Sequence, residues 1–451
     1  MRWSSVIGGV VAGVSVAAWG LVRTQPEGDM RRLNEIAGRI SRTVESALRP
    51  GDGEPTNYAA ASLALRDLRE EYERDATARA IFGQIAGAAL ATTSDYDGAI
   101  EVFEGANPGR ALAPVPEGLR ARPAAEAIAE MARDRRIVML NEAHHVGMHR
   151  SFARRLLRPL REAGFTHLAV EGLANSSRTL EGRDRPFVNE ILTIGYPTQA
   201  AGYYTADPMF GELLREAIEL GFVLVPYEAQ PRVPTGPAHE QVNARDAEQA
   251  ANILRVLEDG QARVLVYCGY AHLSESPQSF GDAEVRWLGA RLREATGLDP
   301  LTIHQTSYYD RGGFNTAAYE AAIAAYAPGD AVVLMDDEAG EGVAWSEQPT
   351  VWDVSVLHPT IARHLGRPGW MMLAGDVAPV EIPDAWIAGE RSFVQAFRAG
   401  EDPAVAVPAD QAWAERGGET ALVLRAGEYV VRTWDADAEF VEQREIVVEG
   451  R

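Results

Sequence analysis

The chain has 451 residues, enough for two or three domains, and its 46% hydrophobic and 24% charged side chains are the balance of a globular protein with a real core. A net charge of −22 and a pI near 4.9 argue against nucleic acid or an anionic membrane as the main partner, because both repel an acidic surface. All 43 basic side chains are arginine, which removes a P-loop lysine, Schiff-base chemistry and a Ser–Lys pair, and the single Cys268 excludes a disulfide framework or a cysteine zinc site within one chain.

Met1 and Arg2 precede an uncharged, apolar or small run over residues 6–22, closed by Arg23. A basic start, a run of this length and a polar segment after it predict an export signal or a single anchor over residues 1–23, and hence a periplasmic protein or one anchored facing the periplasm. Residues 24–110 read as a helical region. Leu33, Ile36, Ile40 and Val44 recur every three or four positions, as do Leu65, Leu68 and Tyr72, and residues 96–103 add a further helix. No chemistry is legible in this stretch.

From residue 123 helices and strands alternate. Helices are expected over 124–133, 148–160, 208–220, 240–258 and 284–295. Strands are expected over 136–140, 166–170, 222–227, 263–268, 301–305 and 331–335. Gly164 reads as the residue that stops the second of these helices. Apolar strands separated by amphipathic helices predict an α/β domain, residues 111–385, with an open, mostly parallel sheet covered on both faces. Residues 172–207, with Tyr196, Tyr203 and Tyr204, are long enough to form a lid or a substrate-facing insertion. Residues 386–451 carry short apolar runs between turn residues and predict a β-rich tail.

In an open parallel sheet, ligands bind beyond the carboxyl ends of the strands. Those ends carry Asn141-Glu142-Ala143-His144-His145, then Glu171, then Glu228, then Gly269-Tyr270-Ala271-His272. The fold would therefore bring titratable groups from four strands to one rim. A Gly-x-Ser-x-Gly elbow, a His-Glu-x-x-His helix and a dinucleotide-binding glycine fingerprint are all missing. Cys268 reads as a small buried residue.

Over residues 111–310 these pieces resemble the superfamily that joins erythromycin esterases to the ChaN-like haem-binding proteins. The likeness lies in the strand Arg-Ile-Val-Met-Leu followed by Glu-x-His, the strand ending in Glu171, the Arg245-Asp246 helix, and the late Gly-x-x-His that ends in His272. Asn141 stands where that family has glycine, and asparagine tolerates the left-handed backbone such a turn needs. The ChaN-like pattern points to His144 and the esterase pattern to His145. The resemblance implies a hydrolase of an ester or lactone. In it His144 or His145 activates water, Glu142 or Glu171 orients the imidazole, and Arg245 and His272 stabilise the oxyanion. The small-molecule substrate is not encoded in any motif. No cofactor is expected. The alternatives are a haem or metal carrier using His149, Tyr203 or Tyr204, and a hydrolase whose divalent metal is held by Glu142, His145, His149, Glu171 and His272. His145 and His149 would share a helical face if the helix begins by residue 145.

Overall fold

The computed structural model describes residues 27–48, 56–106, 111–175, 189–202, 204–230, 236–281, 283–338, 340, 342–360 and 362–450. The expected export segment, Tyr203 and much of the 172–207 insertion lie outside the described residues. Among the described residues no helix is long and apolar enough to cross a membrane.

Four helices open the fold: α1 (Glu27–Leu48), α2 (Tyr58–Tyr72), α3 (Ala76–Thr92) and α4 (Tyr96–Ala106). Asn57 and Asp75 cap α2 and α3, accepting from the amides of Ala60 and Ala78. The α/β region follows as β1 (Arg120–Pro123), α5 (Ala124–Met131), β2 (Ile137–Glu142), α6 (Gly147–Glu162), β3 (His167–Val170), α7 (Pro208–Glu219), β4 (Val223–Pro226), α8 (Ala238–Leu257) and β5 (Val264–Gly269). A small hairpin, β6 (Gln278–Phe280) and β7 (Ala283–Val285), precedes α9 (Leu288–Thr296). Then come β8 (Leu301–Tyr308), α10 (Ala317–Tyr326), β9 (Val332–Met335) and β10 (Val354–Leu357).

The sheet order is β1-β9-β10-β8-β2-β5-β3-β4. The run from β10 to β4 is parallel throughout, and β9 is antiparallel to both its neighbours. The fold is thus the expected α/β, with a helical segment before it and a β-rich region after it. The expected strand over 331–335 exists but runs against the others, and α9 starts later than expected because residues 283–285 pair as a hairpin strand. Gly164, at φ +96°, ends α6 as expected.

Both faces of the sheet are apolar, so successive residues of one strand enter different cores. Val138 and Leu140 of β2 pack with α5, α6 and α7, alongside Leu168, Val170, Leu265 and Tyr267. Ile137 and Met139 pack with α8 and α9, alongside Ala169, Val264, Val266 and Cys268. This alternation decides which way each strand-end carboxylate points.

The β-rich region holds β11 (Val377–Glu381), β12 (Arg391–Arg398), β13 (Asp410–Glu415), β14 (Ala421–Arg425), β15 (Gly427–Trp434) and β16 (Phe440–Val448). β11 pairs with β14, and the other four form an antiparallel sheet ordered β13-β12-β15-β16. This region begins before residue 386, since β11 belongs to it. Met371 and Val423 share one core with α1 to α4.

Candidate functional site

Alternation places Glu142, two residues after Leu140, on the α6 side of the sheet. There Arg150, one turn into α6, grips it with Nε and Nη2, each at 2.9 Å. The Tyr267 hydroxyl, on the same face of β5, donates to Glu142 Oε2 at 2.6 Å. Burial alone would raise the Glu142 pKa, but Arg150 and His144 more than reverse this and hold it well below the usual carboxylate range. Arg150 is fully enclosed and also meets Asp207 at 3.2 Å.

Glu171 follows Val170 and so faces the opposite, α8 side. Its Oε1 accepts from Arg245 Nη2 at 2.6 Å, and its Oε2 accepts from the Gly269 amide. Arg245 is also clamped by Glu228, Nε to Oε1 at 2.9 Å and Nη2 to Oε2 at 2.6 Å, and Gln249 supports the same Glu228. One helical residue on, Asp246 Oδ2 sits 3.0 Å from His272 Nδ1, while His272 Nε2 lies 3.1 Å from Arg245 Nη1 and 3.7 Å from Glu171 Oε1. Burial opposes charge on His272, yet Asp246 and Glu171 outweigh it and raise its pKa. Glu171 is lowered in turn: His272 and Arg245 overcome the cost of its burial.

His144 joins the two halves. Its Nδ1 lies 2.8 Å from Glu142 Oε1. Glu142 is ionised and acceptor-only, so Nδ1 carries a proton, and in the neutral imidazole Nε2 is the nitrogen with the lone pair. Tyr204 stacks on the imidazole, with centroids 3.9 Å apart, and Tyr270 meets it edge-on at 5.1 Å. The Nε2 end points at Gly269. A Cβ there would fall 2.7 Å from His144 Nε2 and 3.2 Å from Glu171 Oε2. The missing side chain of Gly269 is therefore what lets the imidazole reach the Glu171 side. Side-chain exposure rises from 9% at His144 through 18% at Arg245 to 22% at Glu228, so the approach to the cluster is from the Arg245 side.

The other histidine of the pair points elsewhere. His145 stacks on Phe103 at 3.7 Å and lies 3.6 Å from Glu104, both on α4, with the Tyr309 hydroxyl at 3.4 Å. The helical preface thus reaches the flank of the site, although no chemistry was legible in it. Helix α6 begins only at Gly147, so His145 and His149 do not share a helical face. His149 is enclosed, and its Nδ1 accepts from the Ala143 amide at 3.1 Å. Among the described residues no group of three or more His, Cys, Asp or Glu side chains is arranged to hold a metal ion. Tyr204, the other residue considered as a haem ligand, stacks on His144.

Asn141 does not use the left-handed backbone allowed for it. It lies in β2 opposite Cys268, donates from Nδ2 to the Tyr270 carbonyl at 2.7 Å and accepts from the Gln305 amide at 2.9 Å. The left-handed residue of the site is Tyr270, at φ +39°. A bulky side chain pays strain in that conformation, and here it turns the chain sharply between Gly269 and His272. Sequence reasoning gave no role to Arg150, Tyr267 or Tyr270. Their signal was available only once β5 and α6 were known to flank β2.

No family model and no curated protein matches the chain. Solved structures that it resembles include the type III effector HopBA1, at 15% identity over 54% of this chain and 99% of that one, with a TM-score of 0.30. Another is RRSP, a MARTX toxin effector domain from Vibrio vulnificus CMCP6, at 14% identity over 62% of this chain and 46% of that one, with a TM-score of 0.26. A third, described as "Bacterial protein toxins", gives 13% identity over 60% and 65% and a TM-score of 0.29. Likenesses this remote carry no argument about activity.

Proposed function

We propose that this protein is an exported hydrolase of the erythromycin esterase-like type, acting on an ester or lactone of a small molecule. The observation that supports it most is the His144 imidazole, anchored at Nδ1 by an ionised Glu142, with Nε2 open toward a cluster holding one cation and a second histidine. In this proposal His144 Nε2 takes a proton from water as the oxygen attacks the carbonyl carbon. Glu142 stabilises the imidazolium, as the acid does in a catalytic triad. Arg245 and His272 stabilise the oxyanion of the tetrahedral intermediate. Collapse breaks the bond to the alcohol oxygen, and that oxygen receives the proton held by His144. His145 takes no part, being committed to Phe103 and Glu104. No cofactor is assigned, because Arg150 and Arg245 already compensate Glu142 and Glu171. Export rests on the uncharged run over residues 6–22.

The test is turnover of a panel of p-nitrophenyl esters and macrocyclic lactones by the purified protein, before and after exhaustive chelation. Loss of about a hundredfold or more in His144→Ala, with His145→Ala close to wild type, is expected. Activity that survives His144→Ala, or that vanishes on chelation and returns with manganese or zinc, defeats this mechanism.

A further inference from the structure

The turn from β5 to His272 supplies several parts of the site at once. It carries the Gly269 amide that holds Glu171, the bare Gly269 Cα that admits His144, the Tyr270 ring beside His144, and His272 itself. It passes through Tyr270 at φ +39°, a conformation that a bulky side chain adopts only at a cost. Without a restraint such a residue relaxes toward negative φ and carries its neighbours with it. The Tyr270 hydroxyl, 3.5 Å from His145 Nδ1, anchors the ring. The backbone is held from β2. Two-residue alternation puts Asn141 on the sheet face of Ile137 and Met139, the α8 and α9 side, where it is fully buried. Its Oδ1 accepts the Gln305 amide at 2.9 Å, which fixes the way the carboxamide points and aims Nδ2 at the Tyr270 carbonyl, 2.7 Å away. Gln305 binds back: its Nε2 donates to the Asn141 carbonyl at 2.6 Å, and its Oε1 lies 3.0 Å from His358 Nε2, just past the end of β10. Groups from β2, β8 and the end of β10 thus brace one carbonyl of the turn through a single carboxamide.

We propose that Asn141 is a positioning residue for hydrolysis: its carboxamide holds the strained Tyr270 turn, and through it the Gly269 amide and His272, in the arrangement that stabilises the oxyanion. This rests on the hydrolase reading above. Asn141 touches no reacting atom. It acts on the fraction of molecules whose turn is formed, and turnover scales with that fraction. A loosened turn still admits the ester, so the loss falls on kcat and leaves KM nearly unchanged.

The experiment measures kcat and KM for p-nitrophenyl butyrate, and amide hydrogen exchange by mass spectrometry, in wild type and two variants. Asn141→Leu keeps much of the shape without the hydrogen bonds. Asn141→Ala leaves room for water and serves if the first variant fails to fold. In the folded variant kcat should fall by about tenfold or more with KM within about threefold, because the donor to a buried carbonyl is gone. Exchange over residues 269–273 should quicken by about tenfold or more while β3 and β4 keep wild-type protection. Wild-type kcat in folded Asn141→Ala overturns the proposal and leaves the hydrolase reading standing. Activity lost with exchange quickened evenly through β2, β5 and β8 also overturns it, since that is general loosening of the sheet. Exchange quickened only at 269–273, with no ester turned over by wild type, keeps Asn141 as the residue that holds the turn and overturns the hydrolase reading.

Discussion

Replacing Gly269 by alanine adds one methyl at the point where the two halves of the site meet. Gly269 has φ −85°, so the backbone tolerates alanine and the effect is steric. The new Cβ would stand 2.5 Å from His144 Cε1 and 2.7 Å from its Nε2. Carbon contacts settle near 3.5–4.0 Å, so the imidazole must retreat by about 1 Å. Tyr204 stacked on its face and Glu142 on its Nδ1 resist that retreat. Overpacking of this kind costs about 1–3 kcal/mol, and a displacement of about 1 Å in a reacting group lowers turnover by about a hundredfold. The decisive measurement is a double-mutant cycle in urea unfolding with His144→Ala. In the His144→Ala background the two contacts under 3 Å are gone and Glu171 Oε2, at 3.2 Å, is the close neighbour that stays, so the cost should shrink by about half or more. An equal cost in both backgrounds would falsify the placement of the imidazole against Gly269.

Tyr267→Phe should destabilise by about 1.5–3 kcal/mol, because the hydroxyl it removes donates to the Glu142 carboxylate in a dry site; a change within error, by urea unfolding, would mean that hydrogen bond is not formed. Glu142→Gln leaves the enclosed Arg150 with Asp207, at 3.2 Å, as its remaining charge partner, and a loss of about 3 kcal/mol in the same assay is expected, with unchanged stability counting against the Glu142 pair. Burial holds His145, His149 and His358 below the ordinary imidazole range, His358 down to about 3. The unfolded chain therefore takes protons near pH 6.5 that the folded chain refuses, and each such group removes ~1.4 kcal/mol per pH unit as the pH falls below that value. His272 is raised, so its contribution is complete below the unfolded value and is lost as pH rises through the folded one. The Tm should fall steadily from pH 6.5 to 4.5, and His358→Gln should flatten the slope; a Tm independent of pH in that window would contradict the buried neutral histidines.

Periodicity made the parallel core legible, because each strand is apolar on both faces and each crossover helix carries a clear apolar stripe. Short strands hid. β1 reads Arg-Ala-Arg-Pro and has no apolar face to announce it, and β10 follows a long irregular segment. Strand direction hid as well: residues 331–335 look like the other strands, and only pairing with β1 and β10 sets β9 antiparallel.

The sequence by itself determined the fold class and the set of carboxylates and histidines at the strand ends. Chain order and the parallel sheet send those ends to one rim whatever the details of packing. What only the tertiary structure decided is which group faces which. Glu142 and Glu171 look alike in sequence, yet the two-residue alternation of strands turns one toward α6 and the other toward α8, so Arg150 serves the first and Arg245 the second. His144 and His145 are neighbours in the chain. The turn before α6 splits them, one onto the bare backbone of Gly269 and the other onto α4, because side chains one apart leave a turn in different directions and distant elements supply what each one meets.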